Sequence, residues 1–125
     1  THELSRWFPA DLRGDKKVGA AIQIVSFTDK FPPANGIIIC FQPYHLFEYS
    51  WEDETLRWEI NESASGTDLT FLNKLTDAKA KSVGTADIAT AWHACLDVLE
   101  YVVKGQTPPF STEERFVQIN SIYHK

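Results

Sequence analysis

The side chains that could carry chemistry are few, and their spacing argues against most of the reactions they would support. His93 and Asp97 stand four residues apart, with Glu100 three further on. On a helix this sets an imidazole beside a carboxylate, the pairing in which a carboxylate orients a general base. The apolar residues of the same stretch occupy other positions, so both should face solvent or a neighbouring loop, and a structural role is the simpler reading. His93 and Cys95 lie two apart and diverge by roughly 200° around a helix, too far to act as base and nucleophile.

Metal chemistry fares no better. His2, His45, His93 and His124 fall in four distant segments, none beside a second His or Cys at ligand spacing, whereas a zinc site needs three or four converging ligands. The run Glu52, Asp53, Glu54 offers oxygen ligands for a hard cation, but a solvated turn explains it more simply. Cys40 and Cys95 match neither a zinc knuckle nor a redox pair, and each sits in an apolar stretch where a buried, inert thiol is the ordinary outcome. The sequence contains no glycine-rich phosphate loop, serine elbow or Walker-type lysine. No metal and no cofactor is expected.

What remains is a set of large aromatic faces: Tyr49, Trp51, Trp58, Phe71 and Trp92, with Asn73 sharing the alternation of Phe71. All but Phe71 carry a polar handle, and such a mixture suits an apolar pocket with a few orienting hydrogen bonds. The competing reading is that these residues fill a core and Asn73 is satisfied by a backbone group or water.

The elements that must position them follow from periodicity. Leu4, Trp7 and Phe8 have helical spacing, so a short helix is expected over Glu3–Phe8, closed by Pro9. Val18, Ala20, Ile22 and Ile24 alternate with smaller or polar residues, the pattern of a half-buried strand over Val18–Phe27. Phe31–Gly36 reads as a loop. Ile37–Phe41 is apolar at every position and fits a central strand covered on both faces. Phe47, Tyr49 and Trp51 give one aromatic strand face; Leu56, Trp58 and Ile60 give another; Leu69, Phe71, Asn73 and Leu75 form one side of a last strand. Five short strands joined by short turns read as an antiparallel meander. Asp77–Thr85 is small and polar and reads as a flexible loop. Beyond it Ile88, Trp92, Cys95, Leu99 and Val102 recur at intervals of three and four, marking an amphipathic helix over Ala86–Val103 stopped by Gly105, Pro108 and Pro109. Phe116, Ile119 and Tyr123 give a short amphipathic tail.

The 125 residues carry 12 basic and 17 acidic side chains, a net charge of −5. That is the wrong sign for neutralising phosphates, so no nucleic-acid partner is expected. Leu, Ile, Val and Phe make up about a quarter of the chain, above the roughly 20% below which a chain fails to fold. The longest apolar run is Ile37–Phe41, far short of the roughly 18 residues that cross a bilayer, so no membrane insertion is expected. Nothing at the start of the sequence marks export, and a reduced, cytoplasmic setting is the default expectation.

The segment WHACLDVLEYVVKG, Trp92–Gly105, resembles a signature of the START-like (helix-grip, SRPBCC) proteins, in particular the bacterial relatives of the activator of heat-shock protein 90 ATPase. LSRWFPADLR from Leu4, YHLFEYSWEDETLRWEI from Tyr44 and GTDLTFLNKL from Gly66 agree with that family in order and spacing, so the resemblance covers almost the whole chain. It implies an α+β helix-grip fold, a single domain over residues 1–125 with 106–125 as a C-terminal tail. A curved antiparallel sheet would wrap round the long C-terminal helix with an apolar cavity between them. It also implies an N-terminal strand and helix ahead of Leu4 that this chain lacks, leaving a sheet edge uncovered. Many relatives hold a lipid, polyketide or hormone-like molecule in the cavity. Members that stimulate the chaperone ATPase carry a larger additional domain, for which 125 residues leave no room.

Together these readings point to a protein that binds a small apolar or amphipathic ligand without transforming it. The expected ligand contacts are Tyr49, Trp51, Trp58, Phe71, Asn73, Trp92 and Cys95, and no catalytic residue is expected. Two alternatives stand beside it: a chaperone-associated or homodimeric interaction module using the tail at Phe116, Ile119 and Tyr123, and a cyclase- or hydrolase-like enzyme on the same fold. The enzyme would need a titratable group on the cavity face, where Asn73 and Tyr49 are the polar candidates.

Overall fold

The computed structural model describes residues 7–28 and 32–123. Its elements are β1 (Ala10–Arg13), β2 (Ala21–Ser26), β3 (Ala34–Gln42), β4 (Leu46–Trp51), β5 (Glu54–Ser63) and β6 (Gly66–Lys74), followed by the helices α1 (Asp77–Lys79), α2 (Thr85–Val103) and α3 (Thr112–Tyr123). The strands form one six-stranded sheet in sequence order, and every register from β2 to β6 is antiparallel. This is the meander that the alternation and short turns require, with β1 added. The chain divides into two compact units, Leu12–Thr76 and Thr1–Asp11 with Asp77–Lys125.

In the first unit, side-chain alternation sorts residues cleanly between the two faces of the sheet. Ile22 and Ile24, Ala34 and Ile38, Tyr49, and Leu56 and Trp58 are buried, and cross-strand pairing sets them on one face. Ile37 and Ile39 are 52% and 43% exposed, so β3 is not covered on both sides as its unbroken apolar run suggests. A register shift between Ile38 and Cys40 marks a bulge. It inserts one extra residue on the outer face, so Phe41 returns to the face of Ile38. The loop expected over Phe31–Gly36 is likewise corrected: Ala34–Gly36 already belong to β3, and Phe31 lies outside the described residues. Gly36 is required there, because a Cβ would overlap the Ser50 carbonyl oxygen and sit 3.0 Å from the Ser50 carbonyl carbon. Val18 and Gly19 turn before β2 rather than beginning it.

In the second unit, the expected polar loop at Asp77–Thr85 is helical. α1 runs into a π-helical turn, Ala80–Gly84, and then into α2. α2 ends as its sequence predicts. Gly105, at φ 69°, donates its N–H to Val102 O (3.0 Å) and Gln106 donates to Tyr101 O (2.9 Å), the paired bonds of a Schellman cap. The fully buried positions of α2 are Thr90, Ala94, Cys95 and Val98, while Trp92 and Leu99 are half-buried. The buried stripe is therefore displaced from the bulky residues toward small ones, and Thr90 satisfies its hydroxyl on Ala86 O at 2.7 Å.

α3 explains why α2 has two occupied sides. Ser111 caps α3 by accepting from Glu114 N–H at 3.1 Å, with Glu113 and Glu114 in the first turn, where carboxylates oppose the helix dipole favourably. Arg115 Nε donates to Asp97 Oδ2 at 2.7 Å, and His93 Nδ1 lies 2.8 Å from the Tyr123 hydroxyl. His93 and Asp97 thus tie α3 to α2, a structural role of the kind expected for them, with a neighbouring helix in place of a loop. Phe8 packs on Trp92 with ring centroids 5.5 Å apart. The short helix expected at Glu3–Phe8 lies largely outside the described residues.

Candidate functional site

Two rows of side chains cross the buried face of the sheet. Ile38, Tyr49, Leu56 and Asn73 are paired in succession across β3 to β6, and Phe41, Phe47, Trp58 and Phe71 form a second, aromatic row beside them. The aromatic row is in ring contact at both ends. Phe41 and Phe47 centroids are 5.4 Å apart, and Trp58 stacks on Phe71 at 4.1 Å with planes 29° apart. Phe47 also meets Tyr49 at 4.8 Å, joining the two rows. Trp51 pairs with Glu54 at the end of the β4–β5 hairpin.

The polar atoms of this face are unevenly satisfied. Trp58 Nε1 donates to the Tyr49 hydroxyl oxygen at 3.2 Å, in a buried setting. Burial pushes the Tyr49 phenol well above its ordinary value near 10, and the Trp58 hydrogen bond pulls the other way without offsetting it. Asn73 Nδ2 donates to Glu54 Oε1 and to Thr55 O, each at 3.3 Å. Both neighbours are acceptors, which fixes the orientation of the amide. Asn73 Oδ1 is then left shielded from solvent with no hydrogen-bond partner among the described residues. A buried acceptor in that state costs about 1–3 kcal/mol.

Of the residues expected from sequence, Tyr49, Trp51, Trp58, Phe71 and Asn73 therefore share one sheet face. Trp92 and Cys95 lie on α2 in the other unit, Trp92 half-buried against Phe8 and Cys95 buried. One residue escaped sequence reasoning. Glu54, read as part of an acidic turn, is the first residue of β5, half-buried and on the same face as Leu56 and Trp58. Counting back two from Leu56 would have found it.

The opposite face is charged and more exposed. Arg57 is held between Glu59 and Glu48, the latter at 3.2 Å, and the Glu59 hydrogen bond leads in raising its guanidinium above the ordinary value. Lys74, paired with Thr55, lies on that side too. From β2 to β6 the face of the two rows thus carries two carboxylates, half-buried Glu54 and, near the exposed end of β5, Glu62, and no Lys or Arg. Among the described residues no three His, Cys, Asp or Glu side chains come together to hold a metal, and no helix is long and apolar enough to cross a membrane.

An antiparallel meander followed by a long amphipathic helix is the element order of the helix-grip, α+β class. The model of the family described as "Activator of Hsp90 ATPase homolog 1-like protein" matches residues 1–104, and the chain belongs to that family. Solved structures of similar fold include CalU16 from Micromonospora echinospora, 21% identical over 98% of this chain and 74% of that one, with a TM-score of 0.64. The Bacillus halodurans protein BH1534 is 20% identical over 80% of this chain and 78% of its own, with a TM-score of 0.62. SSP2350 from Staphylococcus saprophyticus is 18% identical over 77% and 70%, with a TM-score of 0.55. These likenesses establish the fold. Among curated proteins none matches.

Proposed function

We propose that this protein binds a small apolar or amphipathic molecule on the aromatic face of its sheet and releases it unchanged. The observation that carries the reading is the row Phe47, Trp58 and Phe71, continuous across three strands, beside an amide oxygen that no described residue satisfies. A face of flat rings with a sparse set of polar atoms is the ordinary composition of a small-molecule site. Membership of a family whose members commonly bind ligands supports the same reading. Native mass spectrometry of the purified protein tests it: a reproducible extra mass of a few hundred daltons, lost on mild activation, is expected. Repeated preparations that hold only the bare chain, before and after incubation with a cell lipid extract, count against it.

Glu54 gives the enzyme reading its one specific support, since it is a titratable group on this face, bonded to Asn73. If a captured molecule is chemically altered on incubation with the protein, and Glu54→Gln stops the change while the molecule still binds, the enzyme reading replaces the binding one.

A further inference from the structure

We infer that Tyr44, at the tip of the β3–β4 hairpin, belongs to the ligand-binding surface, and that its ring closes on one end of an extended, flat apolar ligand lying along Phe41 and Phe47. The inference rests on the binding reading above and adds to it a contact residue and a ligand shape.

The first observation is a backbone cost. His45 N–H donates to Gln42 O at 3.0 Å, closing a four-residue turn with Pro43 and Tyr44 at its centre. Tyr44 has φ 70°, so it fills the position that in a turn of this kind takes glycine or asparagine. An L-residue there sets its Cβ too close to the following carbonyl oxygen, and a bulky side chain makes the position an outlier. Among the described residues one other non-glycine residue has a left-handed backbone, Glu52 at φ 52°. Its strain is offset within the fold, because Asn35 N–H donates to Glu52 Oε1 at 3.0 Å and Glu52 N–H donates to Asn35 O at 2.8 Å. Tyr44 gains nothing comparable: it is 89% exposed, and no hydrogen bond or ring contact ties its side chain to another described residue. Strain that the fold itself does not use concentrates at ligand clamps.

The second observation is where the tip lies. Phe41 and Phe47 sit on the two strands that this turn joins, with ring centroids 5.4 Å apart and both side chains half-buried. They form one end of the aromatic row, and Tyr44 stands three residues from either. At about 3.3 Å per residue the separation is at most roughly 10 Å, within reach of a flat molecule that rests on both rings. The other face of the hairpin presents Cys40, Gln42, Leu46 and Glu48, with no ring among them. A ring held at the tip therefore has its natural counterpart in a ligand on the aromatic side.

Opposite signs in two measurements test this. Tyr44→Gly should raise the unfolding temperature by about 2–6 °C, because glycine adopts the turn freely. It should also weaken saturable binding of the flat, fused-ring dye Nile red about fivefold, the loss of one aromatic contact. Tyr44→Phe keeps both the ring and the strain and should leave the two values unchanged. Val18→Ser removes another exposed apolar side chain of the sheet unit, 64% accessible, and should not alter binding. A raised unfolding temperature with unchanged dye affinity in Tyr44→Gly overturns the inference and leaves binding in place. So does a lowered unfolding temperature, which means that Tyr44 supports the fold, or an equal loss of affinity in Val18→Ser, which means adsorption to any exposed apolar group. Dye uptake by the unaltered protein that never saturates removes the binding reading itself.

Discussion

The Trp58–Tyr49 hydrogen bond joins the aromatic row to the buried row and is open to a double-mutant cycle. Trp58→Phe retains a ring to stack on Phe71, now 4.1 Å away, but deletes the Nε1–H that meets Tyr49 at 3.2 Å. Tyr49 is 0% exposed, so water does not replace the lost donor, and the stranded oxygen costs about 1–3 kcal/mol. The indole is larger than the phenyl ring by roughly 40 Å² of apolar surface, worth about 1 kcal/mol more at about 25 cal/mol per Å². Trp58→Phe should therefore lose about 2–4 kcal/mol. Tyr49→Phe, which removes the acceptor with little change in shape, should lose about 1–2 kcal/mol. Combining them removes both partners, and the double variant should be less destabilised than the two single losses together by about 1 kcal/mol. Urea denaturation followed by circular dichroism, with m-values unchanged, measures all four corners. Losses that add to within about 0.3 kcal/mol would refute the bond, and with it the placing of Trp58 and Tyr49 side by side.

Other outcomes follow from the same contacts. Gly36→Ala should cost about 3 kcal/mol or more, seen as a fall in urea midpoint. The new Cβ forces β3 away from Ser50 and disturbs bonds from Ile37 N–H to Ser50 Oγ (2.9 Å) and from Glu52 N–H to Asn35 O (2.8 Å); an unchanged midpoint would show that the strands are not so close. Because the Tyr49 phenol is raised in the folded protein, its neutral form contributes stability that is intact below about pH 10 and lost as pH climbs above it. Tyr49→Phe should flatten the loss of stability measured above pH 10, and a slope identical to the unaltered protein would contradict the burial. Asp97→Ala should cost about 0.5–1 kcal/mol in the same urea assay, since its partners Arg115 and His93 are about one-third exposed. Proteolysis should then cut first near α3, and cleavage that starts elsewhere would contradict its role in holding that helix.

The strands whose sequences alternate were the most legible. β4, Leu46–Trp51, carries the expected aromatic face of Phe47, Tyr49 and Trp51, because aromatic and wetter residues trade places at every step. The same period placed Trp58, Phe71 and Asn73 on one face. β3 was misread because isoleucine fills its outer positions as well as its inner ones, so the pattern that reports burial is missing and the bulge at Ile38/Cys40 leaves no mark. β1 is four residues long, too short for a period to show. On α2 the bulky residues Ile88, Trp92 and Leu99 drew the stripe, whereas Thr90 and Ala94 are the more deeply buried. Small side chains of this kind signal close approach only once a partner is known. The Ser111–Glu114 pair at the start of α3 is a capping signal that the sequence carries, weaker to the eye than the apolar residues downstream. Glu54 was hidden by its acidic neighbours, which make a strand residue look like part of a turn.

Binding at the aromatic face is tested most directly by titrating the protein with Nile red and comparing Phe71→Ala with Leu72→Ala, neighbours on opposite faces of β6. Phe71 stacks on Trp58, while Leu72 pairs with Arg57 and is 53% exposed. The account predicts saturable binding of about one dye per chain, weakened roughly fivefold or more in Phe71→Ala, as loss of an aromatic pair worth about 1 kcal/mol requires, and unchanged in Leu72→Ala. Uptake without saturation, or equal loss in both folded variants, would contradict it.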